Sequence, residues 1–353
     1  MAAGLQYTKR MSQVELQFAT DEEHQRHDAG ADDPGDDPGF VLAHISDLHL
    51  SSLKDVHPGN LLDKRLLGYL SWRLRRQHEH RSEVLDALCA DLRGNRPDHI
   101  AVTGDLTHVG LPQEFREAAA WLARLGPARD ITLVPGNHDA YVRQPWAQTF
   151  AQWLEYMAGD DAVTGSGAAA GNVARDAVFP SLRIRRNVAL IGLSTATPTM
   201  PLLATGSLGR RQIGQLDQML EETAGSGLFR IVLLHHPPAA QTVGWRKSLT
   251  DGAAFRAVLA RRGAELVLHG HAHFSAATYL NVPQGRVPVF GVPSASAVSN
   301  KSDHLAKYHV YRIRGGSDGW QLKVSVRAYA PDRARFVPSA PDHLDAALTA
   351  TAA

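Results

Sequence analysis

Five times along this chain a short apolar run stops at a residue that can hold a metal ion. Phe40–Ser46 runs into Asp47-Leu48-His49, and 99–103 into Gly104-Asp105. The run 131–134 ends in Pro135-Gly136-Asn137-His138-Asp139, 231–234 in His235-His236, and 265–268 just before Gly270-His271-Ala272-His273. Apolar runs this short, bounded by turn residues, read as buried strands. Helical patterns lie between them. Val84, Leu85, Leu88 and Leu92 recur at helical spacing over 82–92. Residues 112–125 are amphipathic, with Pro112 suited to a first turn and Gly126 just past the end. Alternation of strand, loop and helix predicts a largely parallel sheet with helices on its faces. Further runs at 188–193, 287–292, 308–313 and 322–328 look like additional strands, the last two alternating as antiparallel edges do. Together they predict two stacked sheets rather than one open sheet.

Composition narrows the classes. The chain has 353 residues, 44% hydrophobic and 21% charged, which fits a globular protein with a sizeable core. It has no run of 18 apolar residues and no basic-then-apolar leader, so a cytoplasmic protein is expected. Cys89 is the single cysteine, which excludes a disulfide framework and a thiolate metal site. The net charge of +1 hides a split. Residues 1–39 carry three basic and nine acidic groups, the rest 34 basic and 27 acidic. The acidic stretch, rich in Gly and Pro, predicts a disordered tail over 1–39. A single domain is expected over 40–334 and a flexible tail over 335–353. The Gly/Ala-rich stretch 158–171 reads as a loop.

The donors carry the chemistry. Asp47 and His49, two apart, would share one face of a strand. Asp105, Asn137, His235, His271 and His273 complete the set. In α/β folds, ligands gather outside the carboxyl ends of the strands. Seven O and N donors are too many for one ion and suit a pair of divalent first-row metals. A carboxylate bridges two ions most naturally, and Asp105 is the central candidate. Taken singly, each residue has a plainer explanation. Gly136-Asn137 is a common turn, and i, i+2 histidines often face solvent. Their joint occurrence at the ends of five apolar runs is what points to a metal centre.

This order of motifs resembles the calcineurin-like metallophosphoesterases, from about Phe40 to Val292. The resemblance implies a four-layer α/β/β/α sandwich with a dinuclear site at the strand ends. It implies that Asp47, His49, Asp105 and His273 take one ion, and that Asp105, Asn137, His235 and His271 take the other. The implied ions are two among Mn, Fe and Zn. The implied reaction is phosphoester hydrolysis by a metal-bridging hydroxide, with ions roughly 3.5–4 Å apart and a bound-water pKa lowered towards ~7. His138 corresponds to the family histidine that contacts the phosphoryl group and assists the leaving group. Asp139 either orients His138 or caps a helix. The Asp-Arg-Gly signature that follows Gly-Asp in protein Ser/Thr phosphatases is absent here, which disfavours a protein substrate. Gly104-Asp105-Leu106-Thr107 and the Gly-Asn-His-Asp form look more like bacterial phosphodiesterases, including those for cyclic nucleotides.

A small phosphodiester is therefore the expected substrate, and nucleic acid is disfavoured because no extended basic and aromatic stripe is present. One segment points elsewhere. Residues 64–81 carry six Lys/Arg and one acid, Glu79. As a helix, Leu66, Leu67, Leu70 and Leu74 form one face, expected to pack on the core with the basic side in water. The sharper reading is contact with an anionic membrane surface. A similar insertion occurs in relatives resembling pyrophosphohydrolases of lipid intermediates such as UDP-diacylglucosamine, the alternative function. An inactive binding scaffold is the alternative of another class, and the complete donor set argues against it. Of the other histidines, His108 reads as exposed loop, His236 as a neighbour of the ligands, and His44, His99 and His269 as core.

Overall fold

The computed structural model describes residues 14–18, 39–50, 52–54, 56–161, 175–283, 285–299, 304–316 and 319–341. The apolar runs become strands because both their faces are buried. In chain order these are β1 (Val14–Phe18), β2 (Phe40–Ile45), β3 (His99–Val102), β4 (Ile131–Leu133), β5 (Ser181–Arg185), β6 (Val188–Gly192) and β7 (Phe229–Leu233). They are followed by β8 (Leu266–His269), β9 (Ala276–Val282), β10 (Gly285–Gly291), β11 (Lys307–Gly316), β12 (Gly319–Ala330) and β13 (Arg335–Ser339). Four main helices flank them: α1 (Ser82–Asn95), α2 (Pro112–Leu125), α3 (Gly209–Gly225) and α4 (Gly252–Arg262).

Two sheets result. One runs β1-β12-β11-β2-β3-β4, with β13 also on β12; the other runs β5-β6-β7-β8-β10-β9. β2, β3 and β4 are parallel to one another, as are β6, β7 and β8. Side-chain alternation divides the second sheet cleanly. Leu190, Ile231, Leu233, Leu266 and Leu268 join the core shared with the first sheet. Ile191, Val232, Leu234 and Val267 pack outward on Leu216 and Leu220 of α3 and Phe255, Val258 and Leu259 of α4. On the other side, Val84, Leu85 and Leu88 of α1 and Phe115 and Leu122 of α2 close the first sheet. The layers are α/β/β/α.

Three expectations need correction. β11 and β12 are not edges: β11 lies between β2 and β12. The stretch expected as a disordered tail contains β1, parallel to Trp320–Val324. Val14, Leu16 and Phe18 alternate toward the core, and the Phe18 ring meets Phe290 edge-on at 6.4 Å. The supposed C-terminal tail likewise begins as β13, paired with Val326–Ala330, with Phe336 buried. Composition hid both segments because a five-residue alternation is diluted by acidic or Ala-rich neighbours. Residues 19–38, most of the expected acidic tail, and 162–174, most of the expected Gly/Ala loop, lie outside the described residues.

Two core histidines give the fold a pH dependence. Burial, then the Arg185 and Arg183 cations, hold His99 at about 3. Burial, then Lys307, hold His309 at about 3. Unfolded, both titrate near ~6.5. Their folded pKa is depressed, so between 3 and 6.5 the unfolded chain binds the proton first. Stability is then complete above ~6.5 and falls with pH by about 1.4 kcal/mol per unit for each histidine. Urea midpoints measured from pH 7 down to pH 5 should fall accordingly, and His309→Phe should flatten the slope. An unchanged slope in that variant would remove His309 from the account.

Candidate metal centre

The loops after β2, β3, β4, β7 and β8 meet at one rim of the sandwich. Asp47 N donates to Gly104 O at 2.9 Å, His49 N to Asp105 O at 3.0 Å, and Gly270 N to His235 O at 3.1 Å. Between the sheets, His271 N donates to Asp47 Oδ2 at 3.0 Å and Ala295 N to Ser46 O at 2.9 Å. The backbone here is unusual. Asp47, His49, Asp105, His271 and His273 have φ of 53°, 44°, 55°, 68° and 57°. Left-handed backbone is uncommon outside glycine and costs about 1–3 kcal/mol per residue. Five of the seven expected donors adopt it, which curls each loop and turns its side chains inward. This replaces the strand geometry expected for Asp47 and His49, since β2 ends at Ile45. The motif glycines make room: a Cβ on Gly136 would strike the Asp105 carboxylate, and one on Gly270 the Ser46 hydroxyl.

All seven donor residues come together. The ligand atoms of Asp47, His49, Asp105 and His273 lie within 4.8 Å of one another, as do those of Asp105, His235 and His271. Asp105 belongs to both groups. Asn137 Oδ1 joins the second, 3.2 Å from His235 Nε2. His49 and His235 face backbone carbonyls through Nδ1, Thr107 O at 2.9 Å and Thr103 O at 2.6 Å, which turns each Nε2 toward the cluster. The Nε2 atoms of His49 and His271 are buried without a hydrogen-bond partner. A buried polar atom left so is costly unless something binds it. Burial pulls His235 down, yet Asp105, 3.3 Å away, and then Asp47 lift it to about 9. Burial would raise Asp105, but His235 and then His138 hold it well below the carboxylate range. The arrangement draws positive charge to the point where the two groups meet. O and N donors without thiolate fit a pair of first-row divalent ions.

His138 is buried beside this cluster, its ring 5.0 Å from that of His49 and stacked on Tyr141. Its Nδ1 is 2.6 Å from His108 O, and Arg76 Nη1 lies 3.3 Å from its Nδ1 and 2.9 Å from its Nε2. A carbonyl can only accept, so Nδ1 carries the proton. A guanidinium nitrogen this close to both ring nitrogens rests over the imidazole face, not on the in-plane lone pair of Nε2. Asp139 does neither thing expected of it. Its carboxylate accepts from the backbone N–H of Asp105, Leu106, Thr107 and Gly136 at 2.9–3.0 Å. Residues 137–140 form a turn and no helix follows. Asp139 thus fastens the β3 loop to the β4 loop. Burial, then Asp105, push it up to about 7 against the pull of the Gly136 and Thr107 N–H groups.

His108, expected in solvent, is buried and stacks on His49 at 5.0 Å. The buried Glu114 carboxylate accepts from His108 N, Val109 N and Leu111 N, which folds that loop inward. His236 has both nitrogens engaged, by Thr195 Oγ1 at 2.7 Å and Ala204 O at 3.1 Å, as suits a residue outside the ligand set. His44 and His99 pair with threonines in the core. A cleft of about 360 Å³ opens beside the cluster, lined by His49, Trp72, His80 and His108 among others.

The basic segment is helical over Arg65–Ser71 and continues as a π-helix over Trp72–Arg76. Its orientation is the reverse of the one expected. Leu66, Leu67, Leu70 and Leu74 are exposed, Leu74 by 80%. The seated stripe is instead 65, 69, 72 and 76. Trp72 is buried with Leu53, Val109 and Leu111, and Tyr69 packs on them. Arg65 donates to Val109 O and Gly110 O, and Arg76 reaches His138. Both stripes recur at helical spacing, so periodicity alone could not choose between them. Arg76 and His80 were the functional candidates that this ambiguity concealed.

The family model for calcineurin-like phosphoesterase matches residues 40–275. A cAMP/cGMP dual specificity phosphodiesterase of Mycobacterium tuberculosis is 29% identical over 292 residues, 81% of this chain and 76% of that protein. A probable cyclic nucleotide phosphodiesterase of Rhodococcus erythropolis is 28% identical over 290 residues, 81% and 79%. Among solved structures, a dimetal phosphatase from Danio rerio aligns with a TM-score of 0.54 at 14% identity, over 78% of this chain and 93% of that one.

Proposed function

Because the chain belongs to the calcineurin-like phosphoesterase family and is a metal-dependent phosphoester hydrolase, we propose that its substrate is a small phosphodiester, a cyclic nucleotide in the first instance. The observation that carries this is the pair of donor groups sharing Asp105, with a guanidinium at their edge. The cyclic nucleotide phosphodiesterases among its relatives support the substrate class. In this reading Asp47, His49, Asp105 and His273 hold one ion, and Asp105, Asn137, His235 and His271 the other, the ions being Mn, Fe or Zn. The ions supply Lewis-acid charge and a water of lowered pKa. Asp139 sets the spacing of the Asp105 and Asn137 loops. Arg76 and His138 face the phosphoryl group: the guanidinium neutralises its non-bridging oxygens, and the imidazole aims the guanidinium.

A second reading is favoured by the exposed leucines. Of the nine large hydrophobics exposed among the described residues, Leu62, Leu66, Leu67, Leu70 and Leu74 lie on the segment beside the centre. Met200 and Leu202 adjoin it through the Lys64–Thr199 hydrogen bond. With Arg73 nearby, this surface suits an anionic bilayer, and the substrate is then a nucleotide-linked lipid such as UDP-diacylglucosamine. No helix among the described residues is long and apolar enough to cross a membrane.

One panel separates these readings. Mn-loaded protein is assayed on bis-p-nitrophenyl phosphate, cyclic AMP, UDP-diacylglucosamine and a phosphomonoester, with and without phosphatidylglycerol vesicles and with a chelator control. Cyclic AMP turnover that is indifferent to vesicles and abolished by chelation is the expected result. Preference for the lipid, with co-sedimentation lost in Leu66→Ser/Leu70→Ser/Leu74→Ser, selects the second reading. Preference for the monoester overturns both, and no turnover with ions bound returns the scaffold.

A further inference from the structure

We propose that His80 Nε2 is an additional ligand of the ion held by Asp47, His49, Asp105 and His273; the inference rests on the metal-centre reading above. His80 stands where the basic segment rejoins the sandwich, and none of the five motifs contains it. Its backbone is fixed by a bridge to Ala297, with Arg81 N donating to Ser296 O at 3.1 Å and Val298 N to Glu79 O at 2.7 Å. The ligand atoms of His49, His80 and His273 lie within 4.8 Å of one another, and two of these three also belong to the first donor group. The His49 and His80 rings are 4.5 Å apart.

The free nitrogen is set by a directed hydrogen-bond chain. Ser294 Oγ donates to Asp47 O at 2.6 Å, so its own proton is committed. Ser296 Oγ lies 3.2 Å from Ser294 Oγ, and His80 Nδ1 lies 2.8 Å from Ser296 Oγ. Each hydroxyl both donates and accepts only if protons run from His80 Nδ1–H to Ser296, to Ser294 and to the Asp47 carbonyl. Nε2 then carries the lone pair, and it is buried with no partner, as is His49 Nε2. An imidazole oriented through one nitrogen, with the other bare beside other ligands, is the usual state of a metal-binding histidine. The same chain ends on the carbonyl of Asp47, so one network orients two ligands of one ion. That ion then has five protein donors, three of them imidazoles, against four for its neighbour. It is the more tightly held of the two and the more selective for imidazole-preferring metals.

The test is a chelator-competition titration of the full chain with Zn and with Mn, alongside elemental analysis and the melting temperature of the ion-free form. Wild type should show two sites of unequal affinity. His80→Ala should weaken the tighter site by at least the roughly 10–100-fold typical of losing a ligand's outer-shell partner, and leave the other unchanged. Ser296→Ala keeps the ligand and loses its orientation, so a smaller loss at the same site is expected. If His80→Ala fails to fold, His80→Gln replaces it in the same titration. Wild-type affinity at both sites in the variant overturns the assignment while leaving the dinuclear centre intact. A third ion in wild type that disappears in the variant also overturns it. Failure of wild type to bind two ions overturns the centre itself.

Discussion

Asp105→Asn should leave a folded protein that holds neither ion firmly and hydrolyses nothing measurable. Its carboxylate is the one group common to both donor clusters. One oxygen accepts from His138 N at 2.7 Å, and the other faces His235 Nε2 at 3.3 Å. An amide keeps the shape and removes the charge. Two sets of neutral imidazoles then confront one remaining carboxylate, Asp47, among the described donors. Activity should fall on the order of 10⁴-fold, the scale seen when a group that acts as part of a unit is removed. Elemental analysis after dialysis should find well under two ions per chain. Circular dichroism should be unchanged, because the core lies between and outside the sheets. Two retained ions and near wild-type turnover would refute the shared carboxylate.

Arg76→Ala carries the second largest expected loss, about 10²–10³-fold in kcat/KM, the range for removing one preorganised donor to developing charge. The protein phosphatase signature that would bring an arginine after Gly104-Asp105 is missing, and the π-helical segment brings one from elsewhere. His138 Nδ1–H is committed to His108 O, and burial, then Arg76, hold the ring neutral at about 3, so its Nε2 has no proton to give in this geometry. In the proposed function His138 therefore seats Arg76, which rests over its ring, in place of the leaving-group role the resemblance implied. His138→Ala should therefore cost the same for p-nitrophenyl and alkyl esters, and the double variant should lose little more than the worse single one. A loss in His138→Ala that shrinks for p-nitrophenolate would restore the general-acid role. Arg76→Lys should recover part of the rate, since a point charge replaces a fork.

The core of the fold was legible because burial and period coincide. β2, β3, β4, β6, β7 and β8 are short apolar runs whose two faces are both covered, and α2 spans the residues that Pro112 and Gly126 bracket. The donors were legible for a related reason: each follows a strand, and parallel strands deliver their ends to one rim. What could not be read were features decided by partners distant in the chain. Val14–Phe18 is a strand because Trp320–Val324 lies beside it. His108 is buried because Glu114 gathers three backbone N–H groups. The leucine stripe faces outward because Trp72 and Tyr69 fill the apolar seat made by Leu53, Val109 and Leu111. Positive φ at five donors also has no signature in Asp or His, which occupy either backbone region.

The placement of β11 between β2 and β12 sets an order for biosynthesis. His44 pairs with His309 and Phe40 with Ile313, residues from opposite ends of the chain. As the polypeptide emerges from the ribosome, β2 and β3 can associate early, but the other edge of β2 stays bare until the last strands leave the exit tunnel. An open edge on a strand this apolar invites pairing with a neighbouring nascent chain. The loop carrying Asp47 and His49 gains its final support from residues that follow 290. Ion loading therefore belongs after β11 has joined β2 and Ser294 and Ala295 have reached the Asp47 loop.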